Sequence, residues 1–181
     1  MTNAKLLTKD DTFWKVLNTA IVLDFNRGHL RWTMSELSRA SEITRSLVYY
    51  YFGKSKEGIL KEAIKLVGEE FFGLNSSRLG LWEQGNIAKS VMATREFTRK
   101  SPQVMAFYMV RRTAQSEIGE TLRQLENEYL GKIRSYFPGI DEDGVQAIYG
   151  LFLGLVMAPT MSDAAVEKAV NIVAEVTQAK K

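Results

Sequence analysis

The chain has 181 residues, 45% of them hydrophobic, enough for a packed core in one large domain or in a small head on a larger body. With no cysteine there is neither a disulfide framework nor a thiolate metal site, no run of about 18 apolar residues exists to span a bilayer, and the opening MTNAKLLTKDD lacks the apolar stretch of a signal peptide, so a cytoplasmic protein is expected. The net charge of +3 is carried unevenly: residues 1–60 hold nine Lys or Arg against six Asp or Glu, whereas residues 61–181 hold fifteen of each. Between Arg27 and Lys56 the balance is six basic to two acidic, which suits a surface that neutralises phosphates and equally a solvated face.

Asp10 or Asp11 starts the first predicted helix, with Phe13, Val16, Leu17, Ala20, Ile21 and Phe25 at helical spacing and Gly28 at its end. A second helix begins at Thr33, which pairs with Glu36 in a reciprocal capping box; Leu37 and Ala40 form its inward face. Ser41 and Glu42 break the apolar pattern, Ile43 packs back, and Thr44 caps a third helix from Arg45 to Phe52. Val48 and Phe52 share the inner face of that helix, four residues apart. Arg45, Ser46, Tyr49 and Tyr50 then lie opposite, offering donors and flat rings to phosphates and base edges.

These residues make the segment resemble the DNA-binding head of TetR-family transcriptional regulators. The resemblance runs from Val16-Leu17 and Ala20 through Gly28, Thr33, Leu37-Ser38, Ala40 and Ile43-Thr44 to Val48-Tyr49, Tyr51-Phe52 and a following lysine. Three positions depart from it. Glu42 stands where a turn glycine is customary, Asp24 stands where a core phenylalanine is customary, and one extra residue before Lys56 leaves both Lys54 and Lys56 as candidates for the phosphate lysine. The resemblance implies DNA contacts by Thr33, Ser35, Thr44, Arg45, Ser46, Leu47, Tyr49, Tyr50, Tyr51 and Lys54 or Lys56.

Beyond the head, Ser55 caps a fourth helix that carries Ile59, Leu60, Ala63, Ile64, Val67, Phe71 and Phe72 inward. The segment Leu74–Gly80 reads as a connection, followed by helices over 82–100, 102–115, 116–137, 141–158 and 162–179, with all three prolines at the joints. The fold class expected is all-α: a three-helix helix-turn-helix head over residues 1–54, then a larger helical body over 55–181. In the body, Phe71, Trp82, Met105, Tyr108, Met109 and Arg112 belong to a Met- and aromatic-rich block. That block is ordinary core by composition and, by the resemblance, the wall of a small-molecule effector pocket. Gly150, Gly154 and Ala158 recur every four residues, and Val166, Val170 and Val173 follow on the last helix. Such a seam serves either an internal hairpin or a two-fold four-helix interface, and the resemblance implies the second.

An enzyme is disfavoured by the inventory. The only histidine is His29, no Glu-x-x-His or Gly-x-x-x-x-Gly-Lys element occurs, and the acidic clusters Glu69-Glu70 and Asp141-Glu142-Asp143 have structural explanations on a helix surface and at a helix start. No cofactor or metal is called for. The expected partners are double-stranded operator DNA, a second copy of the chain and an unidentified small molecule, with no membrane. The competing expectation is a helical protein-interaction module in which the tyrosine run meets another protein.

Overall fold

The computed structural model describes residues 8–178, and among them there are ten α-helices and no strand. The head consists of α1 (Lys9–Arg27), α2 (Met34–Ser41) and α3 (Arg45–Phe52). The body comprises α4 (Lys56–Leu66), α5 (Ser76–Glu83), α6 (Ile87–Lys100), α7 (Pro102–Arg111), α8 (Glu117–Tyr136), α9 (Glu142–Met157) and α10 (Asp163–Gln178). At its C-terminal end α4 runs on as a π-helical turn, Val67–Phe71.

Short polar side chains start most of these helices, those at Thr33, Thr44 and Ser55 as the sequence predicts. Thr33 and Glu36 form the capping box of α2, and Thr44, Ser55, Asn75, Ser116 and Asp141 each accept from an amide in the first turn of the helix that follows. Three local expectations are corrected. The first helix is capped by Thr8 rather than by Asp10 or Asp11, because Asp11 sits at the third helical position and closes the box back onto Thr8. Ala40 is exposed and Ser41 is buried in its place, so the inward face of α2 ends one residue later. The segment read as a connection from Leu74 to Gly80 is mostly α5, capped by Asn75, and the real break before α6 is at Gly85, whose φ of 74° only glycine adopts easily.

One apolar core runs through head and body. Val16, Ala20 and Ile21 of α1 are fully buried with Ile59, Leu60 and Ala63 of α4, and α1 also packs on α7. Gly119, at the start of α8, lets that helix close on the preceding turn: a Cβ there would lie 2.1 Å from the Ala114 carbonyl oxygen. At the far end Arg95 of α6, 2% exposed, donates to the carbonyls of Leu155, Ala158 (3.0 Å) and Met161 (2.7 Å). It thereby neutralises the negative end of α9 and fixes the turn into α10.

Candidate functional site

The α2–α3 unit is held by contacts that leave the outer face of α3 free. Glu42 takes the left-handed conformation that glycine would take more cheaply, φ 59° and ψ 23°, and its carboxylate meets Lys15 of α1 at 3.1 Å. Ser38 donates its hydroxyl to the Ile43 carbonyl at 2.6 Å, closing the turn from inside. The Thr33 amide and hydroxyl both donate to Glu36 and hold its carboxyl below the ordinary value.

With Val48 buried beneath it, α3 presents Arg45, Ser46, Leu47 and Tyr50 to solvent, Tyr50 being 79% exposed. Thr33, Ser35 and Thr44 are exposed at the helix starts. The Arg45 guanidinium donates to the Tyr49 hydroxyl at 3.0 Å, and Lys54 lies 5.8 Å from the Tyr49 ring centroid, so the tyrosine positions two cations along one face. Tyr51 is half-buried, its ring 5.2 Å from Phe13 and 5.0 Å from Tyr50, and it acts first as a prop for Tyr50.

The two candidate lysines are separated by their surroundings. Lys54 is exposed, whereas the Lys56 ammonium donates to the carbonyls of Leu30 (2.6 Å) and Trp32 (3.1 Å) and stands over the Trp32 ring. Lys56 thus ties the start of α4 to the α1–α2 connection. Asp24 stabilises the same connection. Fully buried, it accepts from the Leu30 amide at 2.7 Å, sits 3.3 Å from His29 Nδ1, and pairs with Arg111 of α7 at 3.1 Å. The carboxylate that replaces a customary phenylalanine is therefore a polar joint between head and body, and it holds Leu30 at a φ of 56°.

In the body, the Met- and aromatic-rich block is packed rather than open. Phe71, Phe72 and Tyr108 have centroids 5.1–5.2 Å apart, Trp82 packs edge-on against Tyr129, Tyr136 and Phe152, and the Tyr108 and Tyr149 hydroxyls are 2.8 Å apart. Burial pushes the Tyr108 phenol up to about 12 and raises that of Tyr149 as well, so both remain protonated at neutral pH. A cavity of about 20 Å³, room for about one water, remains between Phe71, Phe72, Arg78, Ser90, Thr94, Tyr129, Tyr149 and Phe152. Of the expected pocket residues only Phe71 lines it. Trp82 and Tyr108 are core, and Met105 and Met109 are half-buried against that core. Arg112 is spent on Glu126 at 2.7 Å. Arg78, which does line the cavity, lies in the stretch read as a connection and carried no sequence signal.

The C-terminal seam divides. Gly150 and Gly154 are exposed, and a Cβ on either would meet nothing within 4 Å, so these glycines do not serve packing inside the subunit. Ala158 is half-buried where Arg95 caps the end of α9. Val166 and Val170, expected at the interface, are buried inside the subunit because α10 packs on α6. Val173 is half-buried, and the outward apolar positions are instead Leu151, Met157, Ile172 and Val176.

No helix among the described residues is long and apolar enough to cross a membrane. Residues 16–63 match the family described as bacterial regulatory proteins, tetR family. Among curated protein sequences none matches at a significant level. A solved structure of a Clostridium perfringens protein described as a fatty acid metabolism regulator superposes with a TM-score of 0.64 at 18% identity, covering 90% of this chain and 94% of the other. NalD of Pseudomonas aeruginosa, described as the secondary repressor of the MexAB-OprM multidrug efflux pump, superposes with a TM-score of 0.52 at 18% identity, over 92% and 95% of the two chains. These likenesses show a common fold, and the family match is confined to the head. With the capped α2–α3 unit and the free outer face of α3, residues 16–63 form a helix-turn-helix head similar to that of the tetR family, joined to a helical body whose fold resembles those of these two solved structures.

Proposed function

We propose that this protein is a cytoplasmic repressor that binds a palindromic operator as a homodimer and is released or tightened by a small molecule in the body. The observation that carries the reading is the outer face of α3. Arg45, Ser46, Leu47 and Tyr50 point to solvent with Lys54 beside them, while the inner face is locked by Val48. A helix so presented fits a major groove, with Arg45 suited to guanine, Leu47 to a thymine methyl, and Lys54 with the caps Thr33 and Thr44 to phosphates. The apolar strip of Leu151, Met157, Ile172 and Val176 beside Gly150 and Gly154 supplies the two-fold contact that sets two heads one helical turn apart. That NalD is described as a repressor supports the same sense of regulation here.

The body reaches the head through two joints, Arg111 to Asp24 and Lys56 to the Leu30 and Trp32 carbonyls. A ligand that displaces α4 or α7 changes the head's position, provided it binds the two arrangements with different affinity. Selection of genomic fragments by the purified protein tests the proposal. A shared inverted repeat upstream of a gene is the expected result, and no enrichment over random DNA would sink it in favour of a protein-interaction module.

A further inference from the structure

The buried and half-buried arginines differ in how their charge is balanced. Arg111 meets Asp24, Arg112 meets Glu126, and Arg95 has Asp163 at 4.0 Å. Arg78 of α5 is 6% exposed and meets only neutral acceptors: the Ser90 hydroxyl at 3.0 Å, the Ser90 and Glu70 carbonyls, and the Thr94 hydroxyl. Glu70 attracts it only from beyond ion-pair distance. Lys132 of α8, half-buried, likewise meets no carboxylate among the described residues. Its ammonium donates to the Gly73 carbonyl at 3.0 Å and lies 4.2 Å from the Trp82 and 5.7 Å from the Tyr129 ring centroids. Among the described residues no carboxylate lies within 4.0 Å of either cation.

Gly73 brings the two cations to one turn. Its φ of 61° and missing side chain leave room for Arg78, whose Nη2 would stand 2.9 Å from a Cβ, while its carbonyl receives Lys132. A third donor belongs to the same cluster: the buried Trp82 indole N–H, beneath Lys132, has no acceptor. One cation withdrawn from water and a second half-withdrawn beside it, with no anion between them, are costly to the fold. Of this cluster only Arg78 lines the cavity, together with the apolar Phe71, Phe152, Leu153 and Val156, while Lys132 stands 5.7 Å from the ring of Tyr129, another lining residue.

We propose that this cavity is the effector site and that its ligand is an organic anion, a carboxylate with an apolar tail. The carboxylate is held between Arg78 and Lys132, and the tail lies along Phe152, Leu153 and Val156. The inference rests on the reading of the protein as an effector-controlled regulator and names the chemical class of the effector. The cavity of about 20 Å³ is too small for such a molecule without movement. Phe71, which must yield, ends the π-helical turn of α4, a break in helical register of the kind that marks functional sites. Displacing it moves α4, whose other end holds the Leu30 and Trp32 carbonyls through Lys56.

The test uses the full chain with decanoate and 4-phenylbutyrate, and with the uncharged amide of each, read by thermal unfolding and by tryptophan fluorescence. Both carboxylates should raise the melting temperature by several degrees at millimolar concentration while the amides leave it unchanged. Lys132→Met, with its fold checked by circular dichroism, should bind the carboxylates at least tenfold more weakly. Arg78→Lys, which keeps the charge and loses the fork, should fall between. Amides that bind as well as the carboxylates would overturn the anion assignment and leave an effector cavity standing. A wild type that responds to neither series would overturn both, and carboxylate binding unchanged in Lys132→Met would place the anion elsewhere.

Discussion

Replacing Arg111 by Met tests the joint between head and body. Asp24 has no solvent exposure, and apart from Arg111 its carboxylate has the Leu30 amide at 2.7 Å and the half-exposed His29 at 3.3 Å. Methionine keeps much of the arginine stem's packing and removes the charge, so the buried carboxylate is left with one firm donor. Removing one partner of a buried pair costs about 3–5 kcal/mol, and because the Arg111 side chain is 22% exposed, water replaces part of the loss and about 2–3 kcal/mol is expected. For a chain of this size each kcal/mol moves the melting temperature by about 2–4 °C, which gives a fall of about 5–10 °C. Thermal unfolding followed by far-ultraviolet circular dichroism reads it. Asp24→Asn removes the charge that Arg111 serves, so the double variant should lose less than the sum of the singles, with a coupling of at least about 1 kcal/mol. A fall below about 2 °C for Arg111→Met, or an additive cycle, would refute the claim that this pair fastens the α1–α2 connection to α7.

The two lysines after α3 should part company. Lys54→Ala is expected to weaken binding to all DNA and to lower the salt slope by about 1 without altering stability. Lys56→Ala is instead expected to lower the melting temperature, and Arg45→Ala to relax operator sequence preference at a cost of about 1–3 kcal/mol in titrations of matched and mismatched sites. Burial, reinforced by Arg78, pushes the Lys132 ammonium down from its ordinary 10.5 to about 7. The unfolded chain therefore binds the extra proton between those values, so wild-type stability should rise from about pH 7 towards pH 10 relative to Lys132→Met and run parallel to it below pH 7; parallel curves throughout would show the ammonium to be well solvated. Ile172→Glu, on the outward strip of α10, should convert the proposed dimer to a monomer in light scattering, whereas Val170→Ala, inside the subunit, should lower stability by about 1–2 kcal/mol and leave the state of assembly unchanged.

Much of this protein is legible locally. The caps Thr33, Thr44, Ser55, Ser116 and Asp141, the glycine after α1, and the buried stripe of Val16, Leu17, Ala20 and Ile21 follow from interactions spanning one turn of helix, so the residues that make them are neighbours in the chain. The same local grammar places Arg45, Ser46 and Tyr50 together on the outer face of α3. Tertiary packing decided the rest. Whether Lys54 or Lys56 is free depends on carbonyls at Leu30 and Trp32, and why Asp24 is tolerated in a core position depends on Arg111, 87 residues away. Val166 and Val170 face inward because α6 lies against α10, a partner that apolar spacing on α10 cannot name. Arg78 and Lys132 look like two more solvated charges until α5 and α8 bring them to either side of Gly73. Helical periodicity says which residues share a face, and only the packing of the helices says whether that face meets core, water, or a cation with no anion beside it.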